Sequence, residues 1–413
     1  MKIDKNFKIK MLSWANQFNI FCLLDNNHFN FEAPAFECLL AVGSVRSYNF
    51  TGNNDAANLQ AFYNEKPTWL FGHFGYNAFG NAHTFANNKN GFSNGFFFEP
   101  ETILKVSNET IAVIKSTKSA TEILKEIADF ILPNEISQQK IKPLPLLSKE
   151  NYIEKIKKIQ QHIARGDCYE INFCKKFAAN NATINPITTY LKLSTISPAP
   201  FGALYKVNND YCICTSPERF LQKHNTTLIS QPIKGTSRRD ADAIIDAANK
   251  THLLQSEKEK AENVMVVDLV RNDMSMVCNK GSVHVKELFG IYSFPKVHQM
   301  ISTIEGKVNA NTEALKLIQS CFPMGSMTGA PKQKVMQLIA QYETESRGLF
   351  SGSIGYITPE NNFDFNVVIR SIFYNQQQKE VSFFAGSGIT FYSNPMEEYD
   401  ECMAKAEAMV EVL

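Results

Sequence analysis

The sequence is short of the features that mark several protein classes. It has no excess of either charge: Lys+Arg number 42 and Asp+Glu 41, a formal net charge of +1. Proteins that grip nucleic acid or an anionic membrane ordinarily carry a basic excess or patch, so the composition argues against both partners. No apolar run approaches the roughly 18 residues of a transmembrane helix. The stretch 11–24 is interrupted by Asn16, Gln17 and Asn19 and lacks a small-residue cleavage signature. No CxxC pair occurs, and the nine cysteines are an odd number scattered from Cys22 to Cys402. That pattern suits reduced, buried thiols in a cytoplasmic protein, not a disulfide framework or a structural zinc site. With 44% hydrophobic and 20% charged residues, the chain has the balance of a packed globular protein. Its 413 residues allow two or three ordinary domains, or one large core with an appendage.

What is present is irregular alternation of strand and helix. The amino-terminal part is rich in Asn, Phe and Gly, with short alternating runs such as 111–115 that read as antiparallel strands. The segment 72–81, GHFGYNAFGN, reads as a tight turn where backbones approach closely. Residues 133–147, with Pro143 and Pro145, read as a linker. Ser148 is placed to cap a helix whose apolar face is Ile153, Ile156, Ile159 and Ile163, and Gly166 to end it. Strands are expected over 169–177, 201–207, 211–215, 352–357, 365–373 and 381–386, and helices over 256–268, 331–342 and 395–412. Strands joined by short turns favour an α+β fold with large antiparallel β-sheets flanked by helices over a doubly wound parallel sheet.

Four constellations carry possible chemistry. Lys234 sits between an apolar dipeptide and a Gly-Thr turn in QPIKGTSRR. Free lysine has a pKa of about 10.4, so a nucleophilic lysine needs desolvation or a neighbouring cation; Arg238 and Arg239 are candidates, and a plain surface turn is the alternative. Glu218 in SPERF follows an apolar strand and a fixing proline, where burial would make it a general acid; an exposed glutamate paired with Arg219 is the alternative. Glu259 and Glu262, and again Glu398 and Glu401, are three apart on predicted helices and project from one face. Two such helices converging would make an oxygen site suited to Mg²⁺; solvated faces with ion pairs such as Glu401–Lys405 are the alternative. The glycine turns MGSMTGAPK and AGSGI offer backbone N–H groups to a carboxylate.

Taken together, SPERF, QPIKGT, AENVMVVDLVRND, FPMGSMTGAPK, GSIGY, FNVVIRS, GSGI and EEYDECMAK resemble the chorismate-utilising enzymes, strongly over about 147–413. FGHFGYN resembles the glycine-aromatic turn of the family's amino-terminal part, so the resemblance extends over the whole chain. It implies an amino-terminal part over 1–132, shortened relative to fuller members, and a chorismate-binding catalytic domain over 148–413. Lys234 in PIKGT and the form GSMTGAPK are similar to the branch that aminates chorismate at C4, aminodeoxychorismate synthase component I. Anthranilate synthases typically carry alanine at the lysine position. Glu170 stands where water-adding members place a lysine and amine-adding members most often a glutamine.

The resemblance implies roles residue by residue. Lys234 is the nucleophile toward C2 and Glu218 the acid for the departing C4 hydroxyl. Glu262 and Glu401 are direct Mg²⁺ ligands, with Glu259 and Glu398 in support. Tyr356 and Arg370 take the enolpyruvyl carboxylate with the amides of Gly386, Ser387 and Gly388. Gly235 and Thr236 line the ring, with Lys405, His298 and Ser326 nearby. No cysteine sits on a G-x-C-x-G elbow, so ammonia is expected from a separate glutamine amidotransferase subunit or from free ammonium. A non-catalytic chorismate-binding paralogue is the remote alternative.

Overall fold

The computed structural model describes residues 5–29, 37–52, 54–80, 91–107, 110–132 and 140–413. Two antiparallel sheets form its centre. The first runs, edge to edge, through Gly329–Ala330, Glu170–Ala179, Glu380–Ile389, Ser371–Asn375, Asp210–Ser216, Phe201–Val207, Ile20–Asp25, Cys38–Val42, Thr102–Ser107 and Thr110–Lys115. The second runs through Ile233–Arg238, Val297–Lys307, Thr227–Gln231, Arg219–His224, Phe363–Asn366, Ser353–Ile357, Leu70–Phe74, Gly95–Glu99 and Arg46–Asn49. Both sheets therefore draw strands from either side of 133–147. Leu144–Pro145 itself pairs along Glu170–Ala179, while 133–139 lie outside the described residues.

The side-chain period of two sorts the core into layers. Cys212, Cys214, Ala203, Tyr205 and Phe384 of the first sheet meet Phe71, Phe98, Ile354 and Tyr356 of the second in one buried cluster, the core between the sheets. Their strand neighbours Ile213, Leu204 and Phe383 face the other way, against helices that include Lys149–Ala164 and Pro395–Glu411. The second sheet's outer face packs on Glu257–Ser275 and Ala314–Cys321. The order is helices, sheet, sheet, helices: the α+β architecture expected.

Local signals hold at the helix ends. The Ser148 hydroxyl accepts from the Asn151 N–H and starts Lys149–Ala164, and Gly166 follows that helix at φ +81°. Asn394 caps Pro395–Glu411, with proline in the first turn. Two expectations change. The segment 72–81 does not turn at its start: Gly72 lies within Leu70–Phe74, where a Cβ would come within 2.0 Å of the Phe96 carbonyl oxygen. The close approach is real, and the turn begins at Tyr76. The run 365–373 is not one strand. It breaks at 367–370 as the chain leaves the second sheet for the first, although the apolar residues on both sides of the break read as one continuous strand in the sequence. All nine cysteines are free thiols, eight of them buried. No helix among the described residues is long and apolar enough to cross a membrane.

Candidate active site

One cavity of about 940 Å³ opens at the end of the space between the sheets. Period two places Glu170, Asn172 and Cys174 on its side of their strand, opposite Phe173 and Phe177, which join the helix-facing core. The same rule turns Gly386 and Gly388 toward the cavity and Ser387 away from it. Ser387 Oγ instead reaches the Glu398 carbonyl at 3.5 Å.

Lys234 reaches the cavity from a bulge. Ile233 pairs with Ile301 and Thr236 with Gln299, so one extra residue is accommodated between them. Gly235 takes φ +97°, which a side chain resists. The bulge aims Lys234 inward, with its side chain 11% exposed. Nζ donates to Glu170 Oε1, in a short ion pair, and to Asn172 Oδ1 at 3.3 Å. Asn263 Nδ2 donates to the Lys234 carbonyl at 3.3 Å, and Ser302 fixes Asn263 at 2.6 Å. Burial alone would lower the lysine's pKa, but the Glu170, Glu262 and Glu401 carboxylates outweigh it and raise it above the ordinary range. The environment of Lys234 is anionic. Arg239 is not its neighbouring cation, since its guanidinium pairs with Asp246.

Glu218 and Arg370 occupy two crossings between the sheets. Pro217 and Glu218 link Asp210–Ser216 of the first sheet to Arg219–His224 of the second, and 367–370 make the return passage. The Val367 N–H donates to the Glu218 carbonyl at 3.0 Å, and the Thr215 N–H to the Arg370 carbonyl at 3.2 Å, tying the crossings together. Arg370 has φ +50°, a conformation arginine adopts only under constraint. Burial pushes the Glu218 carboxyl up to about 7, against the pull of Ser326, Lys234, the Ile233 N–H and Arg370. Burial brings Arg370 down to about 10, still a cation near neutrality.

The two acidic helices converge on one cavity, which the i,i+3 spacing alone left open. Ser256 caps Glu257–Ser275, which presents Glu259 and Glu262; Pro395–Glu411 presents Glu398 and Glu401 to the same cavity. Burial raises Glu259, and raises Glu262 to about 7. Glu401 is lowered instead, because Lys405, at 2.6 Å, outweighs burial. Glu398 gives one oxygen to Ser393 Oγ at 2.7 Å, and its Oε2 is buried without a hydrogen-bond partner. Among the described residues no three such side chains form a closed cage. Mg²⁺ needs none, since it keeps several waters and takes one or two carboxylates. Hard oxygen donors, mutual repulsion and an orphaned buried oxygen all fit that ion.

Gly235, Thr236, Ser326 and Lys405 line the cavity with these groups. Besides Ser387, two expected residues do not. Tyr356 is packed between the sheets against Trp69 and Phe71, with ring centroids at 5.4 and 5.8 Å. His298 turns to Ser293 Oγ at 2.8 Å and Asp246 at 3.0 Å, and its neighbour Gln299 faces the cavity with a buried, unpartnered Oε1. Sequence reasoning missed Asn172, Asn263 and Gln299. Period two from Glu170 reaches Asn172, and Asn263 adjoins Glu262; for Gln299 the polar pair His-Gln left the facing residue open.

Residues 32–411 match the family described as chorismate binding enzyme. The chain belongs to that family. It is 38% identical over 288 residues to the chloroplastic aminodeoxychorismate synthase of Arabidopsis thaliana, covering 69% of this chain and 31% of that protein. It is 37% identical over 267 residues to aminodeoxychorismate synthase component 1 of Klebsiella aerogenes, covering 65% of this chain and 58% of the relative. The chain thus spans less than two thirds of the length of either relative. The crystal structure of anthranilate synthase component I from Streptococcus pneumoniae superposes with a TM-score of 0.78 at 25% identity, over 92% of this chain and 94% of that one.

Proposed function

We propose that this chain replaces the C4 hydroxyl of chorismate with ammonia, forming 4-amino-4-deoxychorismate for 4-aminobenzoate and folate synthesis, as an aminodeoxychorismate synthase component I. The observation that carries the reading is the pairing, in one cavity, of a buried carboxyl raised to about 7 with a buried lysine: Glu218 and Lys234. Hydroxide is a poor leaving group, so the chemistry needs an acid at C4. A lysine at C2 shifts the ring double bonds and expels that hydroxyl as water, with Glu218 giving the proton. Ammonia then bonds to C4 as the C2–Nζ bond breaks, splitting one hard substitution into two easier ones. Arg370 and the Gly386 and Gly388 backbone suit a substrate carboxylate. Glu262 and Glu401, with Glu259 and Glu398 in support, would hold Mg²⁺, which would supply neutralisation of the second carboxylate. Ammonia comes from a glutamine amidotransferase partner or from ammonium salts.

The deciding experiment gives the purified chain chorismate, Mg²⁺ and ammonium, then glutamine in place of ammonium, and weighs the product. A 4-amino-4-deoxychorismate mass with ammonium alone is expected. Anthranilate with pyruvate would assign the chain to the other amine-adding branch. No ammonium-dependent product at all would remove the reading.

A further inference from the structure

A second cavity lies behind Glu218. It measures about 10 Å³, room for one water-sized molecule. Glu218 and Ser326 line both this cavity and the wider one, so their side chains form the wall between the two. Both residues are buried. Phe220, on the strand that follows Glu218, and Val270 and Met274, on the helix Glu257–Ser275, give the second cavity an apolar lining.

Two further polar side chains in that lining are already committed. Ser230 Oγ donates to the Phe220 carbonyl at 2.7 Å, and Asp273 takes the Lys332 ammonium at 2.6 Å. The shared wall is different. Ser326 Oγ is near enough to Glu218 to draw its carboxyl down, yet it makes no hydrogen bond of ordinary geometry. A serine hydroxyl carries one proton and two lone pairs. Left uncommitted beside the acid, in a space for one small molecule, it suits a ligand that both donates and accepts. Ammonia has that size and that character. With the ring of chorismate in the wider cavity and its C4 hydroxyl against Glu218, the incoming nitrogen needs a place next to the same carboxyl. We propose that the second cavity is the ammonia site, holding the nucleophile behind Glu218 and Ser326, from where it crosses to C4. The inference rests on the proposed function and adds where its second substrate binds.

The step balances. Glu218-COOH gives its proton to the C4 hydroxyl, which leaves as water, and becomes Glu218-COO⁻. The apolar lining disfavours a cation, so ammonium entering the cavity passes one proton to that carboxylate. The freed lone pair bonds to C4 as the bond from C2 to Lys234 Nζ breaks, and the product carries –NH₃⁺. One ammonium and one hydroxyl thus become one C4 ammonium group and one water, with Glu218 protonated again.

Val270 is the residue to vary, because it lines the second cavity and not the wider one. Val270→Leu fills the space and Val270→Ala enlarges it. With ammonium salts as the nitrogen source, Val270→Leu should raise the ammonium KM about 10-fold or more, with the chorismate KM within about 3-fold of wild type. In an equal mixture of ammonium and methylamine, Val270→Ala should raise the ratio of N-methylated to unmethylated product about 10-fold or more over wild type, read by mass. A wild-type ammonium KM in folded Val270→Leu, a loss shared equally by ammonium and chorismate, or an unchanged methylamine ratio in Val270→Ala would each overturn the site. If Val270→Leu does not fold, the methylamine ratio decides alone. Absence of the aminated product from wild type would instead strike the proposed function.

Discussion

Gly388 holds open the space that Lys234 fills: a Cβ there would sit 2.9 Å from Nζ and 2.7 Å from the Glu170 oxygen that Nζ contacts. The strand conformation at 388 tolerates any residue, since its φ is not in the left-handed region. The requirement for glycine is therefore spatial and local to the ion pair. Gly388→Ala is expected to cut turnover about 10-fold or more, because displacement of about 1 Å is enough to spoil a reacting geometry. Thermal unfolding should stay close to wild type. Full activity with an unchanged melting curve would show that the pair moves aside at no cost.

Glu218 yields a pH prediction. Its carboxyl is raised to about 7 by burial, so the protonated form that the chemistry uses prevails below neutrality and is lost above it. The rate under saturating substrate should fall as pH rises through about 7. Glu218→Gln should lose about 100-fold or more and flatten that limb. A wild-type limb that survives in Glu218→Gln would assign it to another group.

How much of this was open to reading differs by the range of the interaction. Local signals placed the Ser148 cap and the i,i+3 carboxylates. Contacts set by long-range register were not readable. The break at 367–370 is one case, where Val367 and Val368 look like any strand residues until Glu218 and Gly352 are seen accepting their N–H groups. Tyr356 is another: its motif suggests a ligand contact, but its face of the strand belongs to the aromatic layer with Trp69 and Phe71. The anionic setting of Lys234 required knowing that three elements distant in sequence meet there.

The carboxylates predict a graded metal requirement. Glu262→Gln and Glu401→Gln each remove one charge from the Mg²⁺ site, so the Mg²⁺ concentration for half-maximal rate should rise about 10-fold or more, with little change in fold. Calorimetric Mg²⁺ titration in the presence of chorismate should show the same weakening. Titrations that overlay wild type for both variants would place the ion elsewhere.

Lys175 tests the opposite face of the Glu170 strand. Its Nζ is buried with no hydrogen-bond partner, 4.2 Å from the Tyr399 ring centroid and 5.0 Å from that of Tyr152. Burial lowers its pKa. For a base depressed by folding, the penalty is present below the folded pKa and fades as pH rises past the unfolded value of about 10.4. Lys175→Met removes the charge at similar volume and should raise the melting temperature by a few degrees at pH 7, with a smaller gain at high pH. A lower melting temperature would mean that the ring contacts more than offset burial of the charge.

Lys234 carries the most discriminating prediction. If Nζ bonds to C2, chorismate and Mg²⁺ without ammonia should leave a substrate-derived mass on the peptide carrying Lys234, and Lys234→Ala should abolish it. Direct attack of ammonia on C4 would remain open to the variant, but without covalent catalysis it should be slower by two or more orders of magnitude. Loss of a buried cation would by itself perturb the site, since Glu170 would be left as an unpaired buried carboxylate. The double change Lys234→Ala with Glu170→Gln removes both charges and separates that effect from chemistry. If the double variant regains near-normal amination, Lys234 serves only to neutralise Glu170. If it remains slow while its chorismate binding returns to the wild-type value, the nucleophile is what was lost.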